Sequence, residues 1–358
     1  MVLSSGLQAA IAPLLPAYVH QFSLSDLQAG ELVGVTGLAI VAIALPAGRL
    51  SDRFGARRLT LAAGALLAVG ALAQAVAGSF LLVLASRLVF GLGYGALWTA
   101  GIAWLTGMGS NGSGMGLAVA CSGVGAVTGP ALAGLLAQHF GVAAPFSVSG
   151  VLLAALTLGL AACRTGESAA EQLPADLGLQ LRLALRDPST VAALAAVVAA
   201  GIAATVATLL VPLELQAAGR SAGEIGVSFS LAGAIFVLTS VAVTALRSRV
   251  ITATVALGTV VLMVLALAPA TFSTATSAVL VMLCASTATR GMLWSAAYPL
   301  GSAGAERTGA GVGVVTGFLN VVWAGTSLFT PLAAGAITSD AGPRATVAAA
   351  QALALAVA

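Results

Sequence analysis

Between Arg87 and Arg164 the chain runs for 76 residues without an Asp, Glu, Lys or Arg. Four further stretches (59–86, 188–213, 250–289 and 308–339) are also free of these residues. Water-facing surface cannot be built from such runs. The whole chain carries 14 basic and 11 acidic residues in 358, or 7% charged, where a soluble domain carries about 25%. Most of its outer surface must therefore meet something other than water. That excludes a soluble enzyme, a disordered chain and a nucleic-acid binder. The basic isoelectric point, near 9.1, rests on a net charge of only +3. Cys121, Cys163 and Cys284 lie in or at the ends of apolar runs without metal-ligand spacing, and read as small apolar residues.

A membrane helix needs about 20 apolar residues. The long runs must therefore fold back at uncharged breaks, visible at 107–113, 138–141 and 269–277. Open strands do not survive in lipid, and no alternating pattern suggests a barrel. The reading is an all-α membrane protein with twelve transmembrane helices: 2–20, 27–48, 59–77, 80–106, 114–138, 144–163, 189–216, 224–246, 250–268, 277–302, 309–338 and 344–358. The first and last are read as shortened, and no signal peptide is expected. All basic residues are Arg. With the N-terminus cytoplasmic, ten of them fall in inner loops and only Arg220 and Arg344 in outer ones, which sets the orientation. The expected location is the cell membrane, with the N-terminus and central loop cytoplasmic.

The charged stretch 164–187 divides the chain into two six-helix halves, 1–163 and 188–358. Segment 174–186 fits a short interfacial helix, with leucines on one face and Arg182 and Arg186 at the headgroups. Pro16, Ser25 and Gly30 recur as Pro212, Ser221 and Gly226, each 196 residues later. Pro130, Gly134 and Gly141 recur as Pro331, Gly335 and Gly342 at an offset of 201. Arg87 and Arg290 pair at 203. Six helices return the chain to the side it started from, so the halves are parallel pseudo-repeats. Transporters built this way bind near the bilayer midplane, at the repeat interface.

The inner loop after the second helix reads Gly48-Arg49-Leu50-Ser51-Asp52-Arg53-Phe54-Gly55-Ala56-Arg57-Arg58. Bracketing glycines and an embedded Asp exceed what an orientation signal requires. The segment resembles the signature loop between helices 2 and 3 of the major facilitator superfamily, and the twelve-helix, two-half plan extends the resemblance along the whole chain. The resemblance implies that Asp52, Arg53, Arg57 and Arg58 form a gating loop latching the two halves, with Gly48 and Gly55 permitting the turn. The second-half loop, Arg247-Ser248-Arg249, departs from the motif, and the inner end of helix 4 offers no acid to the latch arginines.

Arg87-Leu-Val-Phe-Gly91-Leu-Gly93 resembles the family's helix 4 motif. Gly125-Ala-Val-Thr-Gly129-Pro130-Ala-Leu-Ala-Gly134 resembles the helix 5 motif of its drug–proton antiporters, with Ala133 where a second Gly is usual. An Arg at the bilayer centre costs about 2.5–3.5 kcal/mol, so Arg87 and Arg290 should face the interior. Arg87, Gly91, Tyr94 and Trp98 share one helical stripe, as do Arg290, Trp294 and Tyr298. The fold that the resemblance implies puts both stripes along a central cavity. The aromatics equally fit packing or an interfacial belt. Arg87 equally fits a partner of backbone carbonyls or of Glu31. Glu31 is the candidate for proton coupling, and Asn320 a candidate partner of Arg290.

No phosphate loop is present and the glycine runs follow no strand, so neither ATP nor a dinucleotide is expected. His20 and His139, both near outer helix ends, leave an intramembrane protease or zinc enzyme without its ligands. The expectation is a monomeric, proton-coupled exporter of small amphiphilic compounds working by alternating access, with no cofactor or metal. Uptake or facilitated transport of a small metabolite, anionic or not, is the alternative among transporters. A non-transporting sensor with the same fold is the alternative from a different functional class.

Overall fold

A computed structural model describes residues 1–108, 113–163, 177–246 and 252–357. The helices are α1 (Val2–Ala9), α2 (Ile11–Phe22), α3 (Asp26–Phe54), α4 (Ala56–Ala75), α5 (Phe80–Ala96), α6 (Ile102–Met108), α7 (Ser113–Phe140) and α8 (Ala143–Ala162), followed by α9 (Leu177–Ala184), α10 (Pro188–Ala217), α11 (Ala222–Leu246), α12 (Ala253–Phe272), α13 (Thr276–Thr308), α14 (Val312–Ala341) and α15 (Pro343–Val357). A π-helical turn, Leu97–Gly101, joins α5 to α6. Among the described residues, ten helices are long and apolar enough to cross a membrane, and α1 with α2 make an eleventh candidate bent by 44°. The shorter apolar α15 stands at the twelfth expected position. Arg164, Glu167, Glu171 and Asp176 of the central stretch, the Arg247-Ser248-Arg249 loop, and part of the 107–113 break lie outside the described residues.

The bend in the first span has a sequence cause. Pro13 has no N–H to give the carbonyl of Ala9, and α1 ends at Ala9. The chain divides into two compact units, Met1–Gln172 with Gly219–Ser230, and Leu173–Ala218 with Leu231–Ala358.

The pseudo-repeat is written into the helix starts. Ser25 caps α3 in a reciprocal box: its hydroxyl accepts from Gln28 N at 3.3 Å, and its own N–H donates to Gln28 Oε1 at 3.0 Å. Ser221 and Glu224 repeat the box at α11, 196 residues on, with bonds of 3.3 and 2.8 Å. Gly141 and Gly342, both at positive φ (86° and 84°), turn the chain into α8 and α15. The starts of α5 and α13 are also 196 apart. That register sets Arg87 against Leu283, so Arg290 lies two turns deeper in its helix and the two arginines are not equivalent.

In the second unit Asp187 joins α10 to α13. Its carboxylate caps α10, accepting from Ser189 N at 2.8 Å. It also receives Arg307 of α13 in a fork, Nε to Oδ2 and Nη2 to Oδ1, both at 2.8 Å. The Arg307 hydrogen bond, followed by the Ser189 amide, holds the Asp187 carboxyl down to about 2. The clamp therefore stays ionised throughout the neutral range. The expected interfacial helix is α9, whose Gln180 accepts from Gly311 N at 3.0 Å and caps the start of α14.

Candidate functional site

Arg87 is 1% exposed. Its Nε donates to the Leu32 carbonyl and its Nη2 to the Thr36 hydroxyl, both at 2.9 Å. Leu32 and Thr36 are one turn apart on α3, so the guanidinium ties α5 to α3. Gly91, one turn on, makes room: a Cβ there would lie 2.7 Å from Ala39 Cβ. Glu31 is half-buried beside Leu32, but among the described residues no carboxylate pairs with Arg87. The stripe then changes partner. The Tyr94 hydroxyl lies 3.5 Å from Ser5 Oγ of α1, and Ser5 Oγ lies 2.7 Å from Ser122 Oγ of α7. Trp98, in the π-helical turn, follows Tyr94 with ring centroids 6.4 Å apart. Thr36, Ser5 and Ser122 were not anticipated. Their one sequence signal is being polar residues inside apolar spans.

The gating segment differs locally from its expected form. α3 continues through Phe54, so Gly48, Arg49, Asp52 and Arg53 are helical. Gly48 makes no turn. The reversal is made by Gly55 alone, at φ 91°, a conformation that needs no second glycine. The Asp52 side chain lies outside the described residues. Arg53 sits over the Phe54 ring at 5.2 Å. Arg57 Nη2 donates to the carbonyls of Ala161 and Cys163, at 3.1 and 2.7 Å, closing the C-terminal end of α8. Arg58 is exposed.

The helix 5 motif serves two neighbours. Gly125 and Gly129 face Gly6 of α1, where the backbones of α1 and α7 meet without side chains between them. Pro130 and Gly134 face the start of α11, opposite Gly226 and Ala222. Ala131 N, next to the proline, donates to Ser230 Oγ at 2.9 Å.

In the second unit Arg290 is half-buried at the fifteenth of the 33 residues of α13. Its guanidinium lies over the Phe236 ring of α11 at 5.4 Å. Two close bonds hold these helices together here: Ser240 Oγ donates to the Gly291 carbonyl at 3.2 Å and Ser295 Oγ to the Ser240 carbonyl at 3.4 Å. Trp294 makes edge contacts with Tyr298 (5.3 Å) and with Trp323 of α14 (4.7 Å). The Tyr298 hydroxyl donates to Asn320 Oδ1 at 2.6 Å. Asn320 thus partners Tyr298 and not Arg290. Phe236 and Trp323 join the cluster from helices whose sequence stripes gave no indication of them. Among the described residues, no group of three or more His, Cys, Asp or Glu could hold a metal ion.

Apolar helical spans repeating at fixed register, with an arginine inside a span of each half and a polar–aromatic cluster beside the second, define a polytopic transporter fold. The profile of the Major Facilitator Superfamily matches residues 1–327, and the chain belongs to that family. It is a multi-span membrane protein of a transporter family, not an enzyme. It is 34% identical over 152 residues to an uncharacterized MFS-type transporter, YuxJ, of Bacillus subtilis (40% of this chain, 38% of the relative). The multidrug efflux pump LfrA of Mycolicibacterium smegmatis is 32% identical over 154 residues (42% and 31%). The class G tetracycline resistance protein of Vibrio anguillarum is 34% identical over 147 (40% and 37%). The matched segments thus span well under half of each relative's length. Among solved structures, an inward-facing, unoccupied bacterial homolog of the human lysosomal transporter Spinster superposes with a TM-score of 0.75 at 16% identity, covering 95% of this chain and 80% of that one.

Proposed function

We propose that the chain exports small amphiphilic compounds from the cell in exchange for protons, by alternating access of its two halves, with the N-terminus and central loop cytoplasmic. The observation that carries the direction is the helix 5 segment Gly125–Gly134, which resembles the antiporter motif and serves as a bare-backbone seat for α1 and for the start of α11. Similarity to efflux pumps supports it. In this reading Asp52, Arg53, Arg57 and Arg58 form the gate between halves. Tyr94 and Trp98 line the substrate path in the first half, and Trp294 and Tyr298 line it in the second. The protein works as a monomer.

Glu31 is assigned the proton. It is a half-buried carboxylate one residue from Leu32, whose carbonyl receives Arg87. Glu31→Gln is expected to abolish transport driven by a proton gradient while sparing substrate counterflow. Both are measured in proteoliposomes across a pH series. A variant with the wild-type pH dependence removes Glu31 from the mechanism.

A further inference from the structure

Arg87 and Arg290 solve the same energetic problem differently. A guanidinium carries five N–H donors and no acceptor. In a membrane span, each donor left without an acceptor is costly. Arg87 gives two of its donors to α3. Arg290 has neither a hydrogen bond nor an ion pair among the described residues. Among the described residues its one cation–π partner is the Phe236 ring, which covers a face of the guanidinium. A cation–π contact uses the face and leaves the in-plane N–H edge open. That edge is the part that grips a planar or tripodal oxyanion through paired bonds.

Arg290 does not point to lipid. At about 100° per residue, the exposed Val281 and Pro299 of α13 lie about 180° from it. On the Arg290 side, one and two turns along, Trp294 and Tyr298 meet Trp323 and Asn320 of α14. An unused cationic edge therefore adjoins a cluster of rings. We infer that Arg290 with Phe236, Trp294 and Trp323 forms a subsite for an organic anion, with a carboxylate or sulfonate head on the arginine edge and a flat apolar body against the tryptophans. This rests on the reading of the chain as a small-molecule transporter. It narrows the amphiphilic substrates to those carrying an anionic head.

Equilibrium binding tests it without involving proton coupling, so failure of the exchange mechanism cannot be mistaken for failure of the subsite. The probes are naphthalene sulfonate and its uncharged isostere naphthalene sulfonamide, titrated into the purified full chain in detergent. Wild type is expected to bind the sulfonate at least about tenfold more tightly, a difference of about 1.4 kcal/mol. Arg290→Gln should erase that preference and leave sulfonamide binding in place. Arg290→Lys should keep part of it. Should Arg290→Gln not fold, Asn320→Asp retains an acceptor for Tyr298 and sets a competing carboxylate in the cluster, and it too should erase the preference. Equal affinities in wild type, no binding of either probe, or a preference that survives in the folded variants overturns the inference.

Discussion

Arg87→Ala is expected to lower the melting temperature of the detergent-extracted protein by many degrees and to reduce its level in the membrane. The side chain is among the largest that are fully buried. Its removal opens a cavity between α3 and α5 and strips both helices of their shared bonds. Comparable large-to-small changes cost about 2–5 kcal/mol. Arg87→Met separates volume from charge, because it refills the cavity without a cation. Replacing a buried charge by an apolar side chain of similar size is often neutral or stabilising. The Met variant should therefore recover most of the melting temperature. Wild-type melting of the Ala variant would contradict the clamp.

A second large effect is expected at Gly125. A Cβ there would meet the Val2 carbonyl oxygen and lie 2.9 Å from Gly6 N, both of them backbone atoms that cannot rotate away. Gly125→Ala should push α1 from α7, loosen the Ser5–Ser122 contact and cost about 1–3 kcal/mol, the usual range for overpacking. Gly159→Ala is the matched control. It also sits in a membrane helix, but nothing lies within 4 Å of its added Cβ. The gain in helix propensity then acts alone. The two variants should shift the melting temperature in opposite directions. A Gly125→Ala protein as stable as the Gly159→Ala protein would show that α1 and α7 do not meet as closely as described.

The parts of this protein that were legible in the sequence are those fixed by local chemistry. Apolar length gave the spans, and Ser25, Ser221, Gly141 and Gly342 gave their register, because caps and positive-φ turns act within a few residues. Which face of a span meets protein was not legible. Lipid and protein interior are both apolar, so a membrane helix shows little of the periodicity that marks the core side of a soluble one. Phe236 therefore joined Arg290 and Trp323 joined Trp294 unannounced, and Arg87 turned to Leu32 and Thr36. Gly48 misled for a different reason. Glycine permits a turn without requiring one, and α3 ran on to Gly55. The Asp187–Arg307 fork joins residues 120 apart in the chain, a separation that no local pattern encodes.

Membership of a transporter family makes small-molecule transport the property to measure first. The most direct measurement is flux into proteoliposomes holding the wild-type chain, with an acid interior and a panel of amphiphilic anions, cations and neutral compounds outside. Proton-coupled exchange predicts accumulation of anionic members above their equilibrium level, abolished by a protonophore. Entry of every compound at the rate of protein-free liposomes, with or without the gradient, would contradict it.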